Sequence, residues 1–278
     1  MKLVSKDMTR KLFPKRKEWS HKGDFGKVLI IGGSKKYSGS PTLSALAAYR
    51  TGADLVTVAA PERAANIIAS FSPDMITYPL HGDFLSPRHL KTLFNMARDS
   101  DVVVIGGGLG REKETMRAVL GFLKEIDMPC VIDADAIHAL AGNVEVIRVN
   151  WILTPHSKEF KTLTHEEPEP NLEDRARLVR YFASRFGTTI LLKGFVDVIS
   201  DGKEVFTNNT GSPYMTKGGT GDTLTGICGA LLAMGTKPID AACAGAYING
   251  LAGDLAAKEY GVGTLASDLL KFIPRAIK

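Results

Sequence analysis

The sequence predicts an α/β fold: a central, mainly parallel sheet covered by helices on both faces. Short runs that are apolar throughout alternate with longer amphipathic stretches, the pattern of strands buried on both faces and joined by helical crossovers. Glycine and polar residues gather where those runs end, at residues 32–39, 106–110, 133–135, 154–159 and 193–197. Ligands of such sheets bind at the carboxyl ends of the strands. The alternation breaks once, where 196–200 and 204–207 flank Asp201-Gly202-Lys203 and predict an antiparallel hairpin near one edge.

Taken in order, Lys27-Val28-Leu29-Ile30-Ile31 reads as a buried strand stopped by Gly32 and Gly33. An alanine- and leucine-rich helix over 41–51 leads to a strand at 55–59 and a helix over 62–71. A helix over 87–98 precedes the strand 102–105, which ends at Gly106. Residues 113–124 are helical, 130–133 form a strand, 136–140 a short helix and 151–154 a strand, with another short helix starting past Pro155. Helix 172–186 feeds a strand at 189–192. Beyond the hairpin, the apolar run from Ile227 to Met234 is helical, and helices over 238–258 and 265–272 follow. Pro168 and Pro170 mark a surface loop. With no linker or repeat, residues 26–278 are expected to form one domain, preceded by a basic arm over 1–25.

Composition narrows the function classes. With 44% hydrophobic and 23% charged residues the chain suits a soluble globular protein with a sizeable core. Its formal net charge of +5 comes from 35 Lys and Arg against 30 Asp and Glu. Nine of those cations fall within the first 27 residues and predict a solvated arm. Nucleic-acid binding is the minority reading, because only Phe13, Trp19 and Phe25 interleave with them. Cys130, Cys228 and Cys243 have neither metal-ligand spacing nor an even count, so a reducing cytoplasm is expected. No apolar run reaches the roughly 18 residues that a bilayer span needs.

The strongest candidate for chemistry is Gly218-Gly219-Thr220-Gly221-Asp222-Thr223-Leu224-Thr225-Gly226, which runs into an apolar helix. Glycine permits close backbone approach to a ligand, and a helix start offers free amides and the positive end of a dipole to anionic oxygen. Asp222 would repel a phosphate there unless it handles a proton; the plainer alternative is an N-terminal cap. The dipole favours its charged form, so it is expected to be ionised at neutral pH. Residues 106–110 are glycine-rich but carry Arg111 where a dinucleotide fingerprint needs glycine, and 32–40 lack P-loop spacing. His156 follows a strand at the ligand edge, whereas the other five histidines share no metal spacing. Lys193-Gly194-Phe195-Val196-Asp197 suits a nucleotide phosphate or ribose, or simply a capped strand end. Asp133 and Asp135 are read first as caps of the 136–140 helix, and second as magnesium holders through water.

Together, Gly-Gly-Ser with Tyr-Ser-Gly (32–39), Gly-Gly-Gly-Leu-Gly-Arg (106–111), Asp-Ala-Asp-Ala (133–136), Leu-Thr-Pro-His with Glu-Phe (153–160), Leu-Leu-Lys-Gly with Asp (191–197) and the 218–226 segment resemble the ADP/ATP-dependent NAD(P)H-hydrate dehydratases. The resemblance runs from about Gly26 to the last helix and covers the dehydratase part, without the epimerase domain fused to it in many relatives. It implies a ribokinase-like three-layer α/β/α fold and the repair of hydrated NADH or NADPH, with ADP or ATP as co-substrate and Mg²⁺. Asp222 would take the proton of the C6 hydroxyl while Gly219 and Gly221 stabilise the phosphoryl group in transit. Ser40, Gly110, His156, Glu159 and Asp222 would contact the hydrated cofactor; Ser40 stands where relatives commonly carry alanine. Lys193, Gly194, Phe195, Val196, Asp197 and Gly221 would bind the adenine nucleotide. No nucleic acid or membrane partner is implied, and a homo-oligomer is. The alternatives are a ribokinase-like kinase for a vitamin precursor or sugar, and a catalytically idle nucleotide-binding protein.

Overall fold

A computed structural model describes residues 1–13 and 15–278. The elements run β1 (Lys2–Leu3), α1 (Lys6–Arg10), β2 (Lys27–Ile31), α2 (Gly39–Thr51), β3 (Leu55–Pro61), α3 (Glu62–Phe71), β4 (Ile76–Leu80), α4 (Leu90–Arg98), β5 (Val102–Ile105), α5 (Lys113–Glu125), β6 (Cys130–Ile132) and α6 (Ala134–Leu140). They continue through β7 (Trp151–Leu153), α7 (Ser157–Thr164), α8 (Leu172–Phe186), β8 (Thr189–Leu192), β9 (Asp197–Ser200), β10 (Val205–Asn208), α9 (Thr220–Ala233), α10 (Pro238–Tyr260) and α11 (Ala266–Ile277). All ten strands join one sheet in the order β1-β10-β9-β8-β7-β6-β5-β2-β3-β4. Pairing is parallel except where β9 meets β8 and β10, the predicted hairpin.

Side chains alternate across a strand, so a sheet buried on both sides divides each apolar run between two cores. Val28, Ile30, Val102, Val104, Val131, Ile152 and Leu191 face one core, built with α2, α3, α9, α10 and α11. Leu29, Ile31, Val103, Ile105, Ile132, Leu153 and Ile190 face the other, built with α4 to α8. The first core is rich in alanine, which lets α2, α9 and α10 approach one another closely. Ala241, Ala242, Ala244, Ala246, Ala252 and Ala256 are buried there, so the small-residue runs of α10 are used inside the chain. The second core is filled by bulkier groups such as Phe122, Phe160 and Trp151.

Two sheet edges differ from expectation. Within the arm expected over 1–25, residues 2–13 are docked rather than free: β1 pairs in parallel with β10, Val4 is buried, and Met8, Leu12 and Phe13 pack against the first core. Apolar residues four apart on one side anchor this segment while its lysines stay outside. At the opposite edge, β4 is a strand that hydrophobic patterning does not reveal. It contains Pro79, which a sheet tolerates on an edge strand.

Candidate active site

β2 lies between β3 and β5, and the chain winds outward from it in both directions. Such a switch point opens a crevice beyond the carboxyl ends of the strands. The loops that follow β2 and β5 meet there: the Gly33 amide donates to the Gly107 carbonyl at 2.9 Å, and Ser34 Oγ donates to the Gly108 carbonyl at 2.8 Å. A Cβ on Gly107 would overlap Ser40 Oγ and come within 2.9 Å of Asp222 Oδ1. Only glycine allows this loop, the start of α2 and the start of α9 to converge.

Gly219, at φ +103°, caps α9, and a side chain there would strike Leu43 and Ala266. Asp222 is the third residue of the helix and does not cap it. Its side chain crosses to α2, where Ser40 Oγ donates to Oδ1 at 2.5 Å. Its carbonyl accepts from Ser44 Oγ at 2.9 Å and from Thr225 Oγ1 at 2.8 Å. The carboxyl is not made more acidic by the helix start, as expected, but less so. Burial pushes its pKa up to about 6, with Asp133 and Glu159 adding to the rise and Ser40 and Lys193 opposing it. Loss of hydration outweighs the dipole. A group with that affinity is mostly ionised at pH 7 yet holds a proton far better than an exposed aspartate.

A second acid cluster lies beside the first. Lys193 Nζ stands 2.8 Å from Asp133 Oδ1 and 3.9 Å from Glu159 Oε2, and Asp133 Oδ1 also accepts from Thr154 Oγ1 at 2.8 Å. Burial works against the Lys193 charge, but the two carboxylates outweigh it and raise its pKa; burial raises that of Glu159 against the pull of Lys193. Asp133 stands at the N-cap position of α6, but its side chain is committed to Lys193 and Thr154 and makes no cap bond to the helix. Asp135 does not cap it either: it accepts from the Gly110 amide and from Arg111 Nε, both at 2.9 Å. Glu159 and His156 close the start of α7 with a capping box, in which the His156 amide donates to Glu159 Oε2 and the Glu159 amide to His156 Nδ1.

A cavity of about 750 Å³ gathers His156, Lys193, Gly194, Phe195, Asp197, Gly219, Gly221 and Asp222 on its lining. Ser40 joins it through Asp222, and Glu159 through Lys193 and His156. Gly110 sits at the far end of its loop, tied to Asp135, and neither it nor Val196 lines the cavity. Phe195 is 92% exposed at the mouth. Asp197 holds its own loop closed, accepting from the Gly194 amide and from Asn208 Nδ2, both at 3.0 Å. Sequence reasoning missed Ser44, Asn249 and the cavity wall at 210–217, and singled out the segment of Thr154 without the role of its hydroxyl. Asn249 Nδ2 donates to the Thr220 carbonyl at 3.1 Å and braces the start of α9. A lone amide in an alanine–glycine helix was the available signal. Among the described residues, no three His, Cys, Asp or Glu side chains are grouped to hold a metal.

A family model described as NAD(P)H-hydrate dehydratase matches residues 28–275. The chain is 48% identical over 267 residues to the bifunctional NAD(P)H-hydrate repair enzyme Nnr of Pyrobaculum aerophilum, covering 95% of this chain and 52% of that protein. It thus spans about half the length of that curated relative and of several like it. The ADP-dependent (S)-NAD(P)H-hydrate dehydratase of Cenarchaeum symbiosum is 39% identical, covering 100% of this chain and 97% of that one. Among solved structures, the ADP/ATP-dependent NAD(P)H-hydrate dehydratase of Bacillus subtilis, co-crystallised with ATP/Mg²⁺, superposes with a TM-score of 0.83 at 27% identity, covering 99% and 97% of the two chains. The three-layer ribokinase-like architecture is the one these similarities carry. The chain belongs to the NAD(P)H-hydrate dehydratase family.

Proposed function

We propose that this protein is a nucleotide-dependent dehydratase that returns hydrated NADH or NADPH to the reduced cofactor. The observation that carries the reading is Asp222: a buried carboxylate tuned to about 6, at a helix start that faces a cavity lined by the 193–197 segment and His156. That is the proton affinity a general base needs near neutral pH. Asp222 accepts the proton of the C6 hydroxyl as its oxygen forms a bond to the terminal phosphorus of ADP or ATP and the phosphoanhydride bond breaks. The free amides at the start of α9 neutralise the phosphoryl oxygens in transit. The ring nitrogen then expels phosphate from C6, and loss of a C5 proton restores the double bond. We assign the hydrated ring to the side of Asp222, Ser40 and His156, with Glu159 and Gly110 in support, and the nucleotide to Gly221 and residues 193–197.

Of the carboxylates that line the cavity, Asp133 is engaged by Lys193 and Thr154, Asp197 by Gly194 and Asn208, and Asp222 by Ser40, rather than grouped into a metal cage. Magnesium therefore enters as the counter-ion of the nucleotide phosphates. A cytoplasmic home follows from three free, buried cysteines. Self-association into a homo-oligomer, which the family resemblance implies, has to use a face other than the buried small-residue side of α10.

The test is recovery of reduced-nicotinamide absorbance when hydrated NADH or NADPH meets the protein, magnesium and either ADP or ATP. Recovery with release of phosphate is expected. Failure with both nucleotides and both cofactors, on folded protein, would leave the small-molecule kinase reading in its place.

A further inference from the structure

Asp222 is gripped from one side by α2. Ser40 and Ser44 lie one turn apart on the same face of that helix. Ser40 Oγ donates to the carboxylate at 2.5 Å, and Ser44 Oγ to the carbonyl of the same residue at 2.9 Å. The contact is possible because residue 107 is glycine: a Cβ there would overlap Ser40 Oγ and come within 2.9 Å of Asp222 Oδ1. Every hydrogen bond that Asp222 Oδ1 or its carbonyl receives from a side chain involves Ser40, Ser44 or Thr225. Among the described residues nothing donates to Oδ2.

We propose that Ser40 is a positioning residue for Asp222: its hydroxyl pins Oδ1, so that Oδ2 is presented to the cavity as the proton acceptor. This rests on the reading of Asp222 as the base, and it gives Ser40 a role beside the expected contact with the hydrated cofactor. The logic is that of a base held in register by a third group. A carboxylate with both oxygens free would rotate between orientations and offer its basic lone pair only part of the time. The hydroxyl is also the neutral choice. A cation at position 40 would fix Oδ1 equally well but would strip the acid of its raised proton affinity. The charged groups that act on Asp222 are Asp133 beside β6, Glu159 in α7 and Lys193 past β8; all three lie in the neighbouring cluster, and none replaces the Ser40 contact.

The experiment follows the carboxyl carbon of Asp222 by ¹³C NMR across pH in the intact enzyme, with its signal assigned by loss in Asp222→Asn. It compares wild type with Ser40→Ala, which only removes an oxygen from a partly exposed site at the start of a helix. Losing a donor to the charged form raises the titration midpoint, by about one pH unit for a hydrogen bond to a charged group. The kcat/KM of Ser40→Ala for the hydrated cofactor should then drop at least about five-fold at pH 6, the ratio of ionised fractions for such a rise. Above pH 8 the loss should narrow to the pH-independent part left by a carboxylate that is free to turn, with KM for the nucleotide unchanged. A midpoint that stays in place or falls, or a rate equal to wild type above pH 8, overturns the proposal. The NMR shift does not depend on the reaction: a raised midpoint without cofactor repair would keep Ser40 in its role and remove the dehydratase reading.

Discussion

Two of the aspartates that line the cavity, Asp133 and Asp222, are handled in opposite ways. Asp133 meets a buried ammonium and a hydroxyl; Asp222 meets a hydroxyl alone. An ion pair commits a carboxylate to its partner, whereas a neutral donor orients it and leaves its proton affinity raised by burial. Asp133 and Lys193 thus act as scaffold under the helix start: a Cβ on Gly221 would lie 3.3 Å from Lys193 Nζ. Asp222, with no cation in hydrogen-bond contact, is the one we propose for chemistry. The difference teaches that burial depth alone does not mark a catalytic acid; the charge of its partner does.

The largest break of this contrast is Asp222→Asn, which keeps the shape and removes the base. Turnover of hydrated cofactor should fall about 10³-fold or more, at the upper end for a lost general base, while calorimetric nucleotide affinity changes little. Lys193→Met breaks the other side. It strands Asp133 and Glu159 without their cation, and removing one partner of a buried pair costs about 3–5 kcal/mol. Chemical denaturation should therefore report a large loss of stability for Lys193→Met, and the opposite sign for Asp222→Asn. The folded state holds the Asp222 proton more tightly than the unfolded chain does, so stability is lost as pH rises from about 4 to about 6 and stays lower above that. Asparagine avoids that loss. At pH 7 the variant should be more stable by on the order of 1–3 kcal/mol, with the advantage vanishing near pH 4.

The contrast also separates what the residues disclosed from what they did not. The sheet was legible because Lys27–Ile31, Val102–Ile105 and Thr189–Leu192 are apolar runs bounded by punctuation. One wall of the cavity was legible because the polar residues that end those runs converge at one sheet edge, whereas the wall formed by 210–217 carried no such signal. β4 was hidden by Pro79, acceptable only because the strand lies at the sheet edge. The docking of residues 1–13 was masked by charge, since Val4, Met8 and Leu12 are spaced for a helix among lysines. Hardest of all was the Ser40–Asp222 contact. It joins residues 182 positions apart, and local spacing cannot encode which two helix starts the switch point brings together. The direction of the Asp222 shift was missed for the same reason: the dipole is visible in sequence, the burial that overrides it is not.

The most direct test of Asp222 as the base is the pH dependence of kcat/KM for the hydrated cofactor in repair by the wild-type enzyme. A single ionisation with its midpoint near pH 6 is predicted, with the rate falling about tenfold per pH unit below it. A rate that stays flat from pH 5 to pH 8, with the protein folded throughout, would contradict the account.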